Sequence, residues 1–243
     1  DPAQIFPSGV MNAATFLAGA VSPGEIATFF GEDLGPATLA GGAIDSDGVL
    51  SKTIAGVEIS FDGIPAPLLY VSANQASAIV PYAVAGKTVT AVQMSHLGRK
   101  SNVITMPVAE SSPGIFTISA NGRGPGAILN EDGSLNTAGN PAARNSIVVF
   151  WTTGEGATTP GSTDGKVASS ILPKPVLPVT VTIGGVTADV LYAGAAPGMV
   201  AGVMQVNARV PAGMGPSGAL PVRVTVGRNT SPDTVTVAVL SKN

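Results

Sequence analysis

Short runs in which apolar and polar residues alternate recur along the chain: Val57–Phe61, 88–94, Val179–Ile183, 222–226 and 234–239. Successive side chains of an extended strand point to opposite faces, so each run predicts a β-strand with one buried and one open face. Gly, Pro, Asn or Asp bounds every run, and the three-to-four spacing of an amphipathic helix is missing throughout. Asp62-Gly63, Gly184-Gly185 and Asp132-Gly133 suit the centres of two-residue hairpins, where glycine reaches positive φ without a Cβ clash.

An internal repeat orders these strands. VEISFDGIPAPLLYVS (57–72) aligns with VTVTIGGVTADVLYAG (179–194), EIATFF (25–30) with SIVVFW (146–151), and Val80-Pro81 with Val210-Pro211. The starts correspond as well, with Ile5-Phe6 and GVMN (9–12) echoed by Ile115-Phe116 and GAILN (126–130). A unit of roughly 110 to 130 residues is a whole domain and not a solenoid element. AESSPG (109–114) has the composition of a short linker. Six or more strands per unit, with frequent turn signals, predict an all-β chain of two tandem immunoglobulin-like β-sandwich domains, 1–110 and 111–243.

Composition narrows the function classes. The chain has 31 Gly and 20 Pro, in keeping with dense turns, and only 11% charged residues, against about 25% in an ordinary domain. With no Cys and one His, thiolate zinc sites, iron–sulfur clusters, cysteine nucleophiles and any metal site needing two histidines are excluded. A net charge of −3 leaves no footprint for nucleic acid, and Arg99-Lys100 sits in an expected turn. Four basic and nine acidic residues precede position 111, against eight and six after it, a mild bias toward contact between the halves. No apolar run is long enough for a membrane-spanning helix. Since the chain opens on Asp1 and not Met, a processed product or an excerpt of a longer exported protein is expected.

PGEIATFFGEDLGPA (23–37), GVEISFDGIPAPLLYVS (56–72), GAILNEDGSLN (126–136) and PVTVTIGGVTADVLYAGAAPG (178–198) resemble the uncharacterised Solibacter-type C-terminal domain of bacterial secreted proteins, over nearly the whole chain. Each half is also similar to an IPT/TIG-type immunoglobulin-like domain, in which the first strand ends on a glycine such as Gly31. The second half departs from that pattern, with Thr152-Thr153 where the first has Gly31-Glu32. The resemblance implies export, an extracellular or cell-surface location and an accessory or adhesive role, and it carries over no catalytic residue.

Phe29-Phe30 and Phe150-Trp151 occupy matching positions, and strand neighbours face opposite ways. Ala27, Phe29, Val148 and Phe150 are expected inside. Phe30 and Trp151 then face outward, where an aromatic ring can stack on a sugar or anchor a partner unless another segment of the chain covers it. Tyr70 and Tyr192, each following Leu, suit a sandwich corner with the ring packed and the hydroxyl bonded to backbone. His96 in SHLGRK falls in a solvent-facing hairpin loop without the G-x-S-x-G elbow that would mark a nucleophile. Glu25, Glu32 and Asp33 form the densest acidic group, and Glu155 stands over Leu34 in the repeat. A glycosidase needs two facing carboxylates, but these read better as loop acids that solvate a turn. Asp45 and Asp47 of DSDG (45–48), like NEDG (130–133), lack the full calcium-loop pattern and read as turns, with surface calcium as the alternative. NGRGPG (121–126) reads as a flexible loop.

The expectation is thus a non-catalytic exported module for binding, adhesion or spacing, without cofactor, whose partners are an extracellular protein or polysaccharide. A carbohydrate-binding accessory module using Trp151 and Phe30, and a small carboxylate-dependent hydrolase, are the alternatives.

Overall fold

The computed structural model describes residues 2–215 and 217–240. Before residue 110 the chain forms β1 (Gln4–Asn12), β2 (Ile26–Glu32), β3 (Ala40–Gly41), β4 (Val57–Phe61), β5 (Ile64–Pro65), β6 (Leu68–Val71), β7 (Gln75–Ile79), β8 (Val89–His96) and β9 (Arg99–Pro107). They make two sheets, in the orders β1-β2-β7-β6-β3 and β5-β4-β8-β9. The remainder forms β10 (Gly114–Ile115), β11 (Gly124–Pro125), β12 (Ile128–Leu129), β13 (Ile147–Thr153), β14 (Thr158–Thr159), β15 (Lys174–Pro175), β16 (Val179–Ile183), β17 (Val186–Ala195), β18 (Met204–Arg209), β19 (Gly218–Val226), β20 (Asn229–Thr230) and β21 (Val235–Val239). Here the order is β10-β13-β18-β17-β16-β19-β21-β11, with β12 on β13, β20 on β19, and β14-β15 a separate hairpin. The chain is all-β, built from antiparallel sheets with a parallel contact between β11 and β21.

The same order of pairing occurs on both sides of residue 110. β2 pairs with β7 and β7 with β6, as β13 pairs with β18 and β18 with β17; β4-β8-β9 corresponds to β16-β19-β21. Backbone detail follows the repeat. Gly24 N–H donates to Val80 C=O and Val80 N–H to Glu25 C=O, while Asn145 N–H donates to Val210 C=O and Val210 N–H to Ser146 C=O. Gly24 and Asn145 both adopt positive φ, 72° and 66°. A register shift falls between Leu68 and Tyr70 in one half and between Val190 and Tyr192 in the other. Leu69 and Leu191 are thus matching bulge residues.

The halves differ where the chain crosses from one sheet to the other. β17 runs unbroken, pairing first with β16 and then with β18, whereas its counterpart is split into β5 and β6 by Ala66-Pro67. Pro65 lies opposite Ser60, and the neighbouring ladder bond is made by Ala66 N–H to Ile59 C=O. Its missing N–H is therefore not needed. Pro67 accepts from Ile79 N–H but cannot donate in return, whereas the aligned Asp189 lies in register with Arg209. One absent donor interrupts the strand.

The alternation read from the sequence matches burial. In β4, Val57, Ile59 and Phe61 are buried and Glu58 is exposed; in β19, Leu220, Val222, Val224 and Val226 are buried and Arg223 is exposed. Two apolar clusters result. One surrounds Phe29 and Phe61, whose rings meet edge to face at 6.3 Å between centroids; the other surrounds Phe150 and the valines of β19 and β21. One loop expectation is corrected: within 121–126, Gly124-Pro125 pairs with Val235-Thr236 and is held as an edge strand.

Candidate functional site

β2 is buried on both faces from Ile26 to Phe29, and β7 is buried from Ala76 to Ile79. A third apolar cluster covers their outer face. It joins Ile26, Leu50 and Ile79 to Ala196 and Val203, with Leu69, Phe116 and Trp151 packed against it. Hydrogen bonds cross the same joint. Ile26 N–H donates to Thr153 Oγ1 (2.7 Å), whose hydroxyl donates to Gly202 C=O (2.8 Å). Leu50 N–H donates to Gly165 C=O and Val167 N–H to Gly48 C=O. The segment between the halves is pinned from both sides, with Asn12 Nδ2 donating to Ser112 C=O (2.9 Å) and Asn229 Nδ2 to Ser111 C=O (2.8 Å).

Two carboxyls are enclosed here, which corrects the reading of Glu25 and Glu155 as solvated loop acids. Glu25 is 1% exposed and Glu155 2%. Glu25 Oε2 accepts from Ser22 N–H (2.8 Å), yet burial outweighs that bond and pushes the carboxyl up to about 8. Glu155 Oε1 accepts from the Tyr82 hydroxyl (2.6 Å), while Oε2 has no partner. Burial raises it to about 7, and burial with the Glu155 charge holds the Tyr82 hydroxyl well above its ordinary range. Tyr82 is itself oriented by its N–H, which donates to Asp164 Oδ1 (2.9 Å).

Local sequence places Glu155. Gly154 and Gly156 flank it with φ of 82° and 80°, and a Cβ at either position would run into the carbonyl oxygen of Ser112 or Glu110. Only glycine permits the T-G-E-G segment to lie this close to the connecting chain. Next to Glu25 lies a cavity of about 290 Å³, bordered by Asn12, Ser111, Ser112 and Asn229. The amides of Asn12 and Asn229 are taken up by the connecting segment, so the surroundings serve to fasten the joint.

The other expected positions are dispersed. Phe29 and Phe150 are fully buried and Phe30 and Trp151 half-buried, Trp151 against the joint cluster. The Tyr192 hydroxyl donates to Ala195 C=O (2.7 Å), and Tyr70 Oη accepts from Gln75 Nε2 (2.7 Å). His96 ends β8 opposite Arg99. Glu32 and Asp33 are exposed. Asp45 Oδ1 accepts from Asp47 N–H and Val49 N–H, both at 2.9 Å, which closes a turn; Asp132 Oδ1 does the same for Ser134. Among the described residues no three His, Cys, Asp or Glu side chains gather as a metal site needs. No helix among them is long and apolar enough to cross a membrane.

No family model matches the chain, and no curated protein matches it. Among solved structures it is compared with domains 5-6 of the S-layer protein SbsC, at 12% identity over 99% of this chain and 100% of that one, with a TM-score of 0.30. Likeness at that level decides neither fold nor function.

Proposed function

We propose that the chain is a non-catalytic, exported module of two immunoglobulin-like units, 1–110 and 111–243, that holds a fixed spacing at the cell surface between its partners, an extracellular protein or polysaccharide. The observation that carries this reading is the covered outer face of β2 and β7, where the third apolar cluster and four backbone N–H bonds, from Ile26, Leu50, Tyr82 and Val167, tie one half to the other. A tied pair transmits position; a flexible pair does not. The matching order of strand pairing supports the division into two units, and the family-like motifs support export. Against the hydrolase alternative, Glu25 and Glu155 are closed off from solvent, while Glu32 at the end of β2 and Asp33 in the bend after it stand exposed.

Small-angle scattering of the chain at pH 5 tests the reading. One rigid envelope is expected, and freely tumbling units would reject it. A panel of immobilised glycans separates spacing from sugar recognition. Reproducible binding that is lost in Trp151→Ala would transfer the proposal to the carbohydrate-binding alternative.

A further inference from the structure

The groups that meet the two enclosed carboxyls are neutral or acidic. Around Glu25 stand Ser22 from the turn before β2, Asn12 from β1 and Ser112 from the connecting segment. Around Glu155 stand Tyr82, which carries Asp164 on its backbone, and Tyr192 of β17, which feels the Glu155 charge. The nearby cations are engaged elsewhere. Lys174 Nζ lies over the Tyr192 ring at 5.8 Å, and Lys166 Nζ donates to Asp47 C=O. A carboxylate enclosed without a cation is strongly disfavoured, whereas the protonated acid is tolerated.

We infer that the joint is a pH-sensitive lock. With protons on Glu25 and Glu155 the two halves are held as one body, and loss of those protons leaves bare negative charge in a closed interface and loosens it. The inference rests on the reading of the chain as two units. Its direction follows from the environment. Opening returns both carboxyls to water, where they release protons near 4.5, while the closed joint holds them to about 7 and about 8. The closed form is therefore fully favoured below pH 4.5. It loses ground as pH rises to about 7 through Glu155 and to about 8 through Glu25, by up to roughly tenfold in the closed-to-open ratio per group and pH unit.

Hydrogen exchange on the full chain reads this directly. The reporters are the amides of Ile26, Leu50, Tyr82 and Val167, which bond across the joint, set against amides of the β4-β8 ladder. After correction for the intrinsic pH effect, the reporters are expected to exchange about tenfold or more faster at pH 8 than at pH 5, with ladder amides unchanged. E25Q/E155Q, neutral at both pH values, is expected to abolish the difference. Equal protection at both pH values, or the same pH effect in the variant, overturns the lock. Should the variant not fold, carbon NMR of the carboxyls in the unaltered chain decides: midpoints above 6 support it and midpoints near 4.5 overturn it. Scattering at pH 5 keeps the two readings apart, since tumbling units there defeat the two-unit spacer, while one body at both pH values defeats only the lock.

Discussion

β2 and β13 have aligned sequences but different surroundings. On the inner side they are alike, with Ala27 and Phe29 in one and Val148 and Phe150 in the other fully buried. On the outer side Ile26 and Thr28 are buried, while Ile147 and Val149 are only half-buried. Their partners differ in step: Thr28 lies opposite the buried Ser77, and Val149 opposite the half-buried Asn207. Inward positions of a sandwich strand are set by its own core, and the outward face stays free to be recruited. In β7 Ala76 and Ala78 belong to the inner core, and the small outward Ser77 beside Thr28 lets other elements come close to the sheet. The joint is therefore asymmetric, a sheet face on one side and strand ends and loops around Trp151, Ala196 and Val203 on the other.

The largest effect should come from placing a charge on each outer face. Thr28→Lys forces an unpaired ammonium into the joint and is expected to lower stability by about 3–5 kcal/mol, against about 0.5 kcal/mol for Val149→Lys, both by urea unfolding. Similar losses would erase the distinction between the two strands. At the bulges, Leu69 packs on the joint cluster while Leu191 is 49% exposed. Leu69→Ala should remove about 1–2 kcal/mol and Leu191→Ala about 0.5 or less. At the sheet crossing, Asp189→Pro copies the break at Pro67 and should cost about 1 kcal/mol for one ladder bond; faster exchange confined to the start of the β17-β18 ladder would locate it. The smallest effect concerns acid. Ala91 N–H, then Lys87 and Thr90, hold the Asp62 carboxyl down at about 2, whereas the aligned Gly184 has no side chain. That contribution is present above the ordinary value of 3.8 and is lost as pH falls through 2. Asp62→Asn should remove this part of the acid sensitivity, and an unchanged unfolding profile between pH 4 and 2 would contradict it.

Strands were legible in the sequence wherever one face was wet, because period-two alternation is a record of one-sided burial. β4 and β16 show it, and the repeat gave the inward side of β2 and β13. IATF in β2 has no alternation, and that near-continuous small and apolar run was itself the sign of a strand covered twice. Acids in turn-rich segments are usually solvated, yet Glu25 and Glu155 are buried. Their burial depends on residues far away in sequence, such as Ser112 and Tyr82, and no local pattern encodes that. The two glycines around Glu155 were the available hint, since paired positive-φ glycines mark a close approach of backbone.

The outer face of β2 and β7 is closed by the rest of the chain. Trp151, the sole tryptophan, borders that closure, so its fluorescence in the folded protein at pH 5 is the direct probe. Emission shifted to the blue of free tryptophan, with acrylamide quenching well below that of the unfolded chain, is the predicted result. A fully folded protein whose Trp151 emits and quenches like free tryptophan would contradict it.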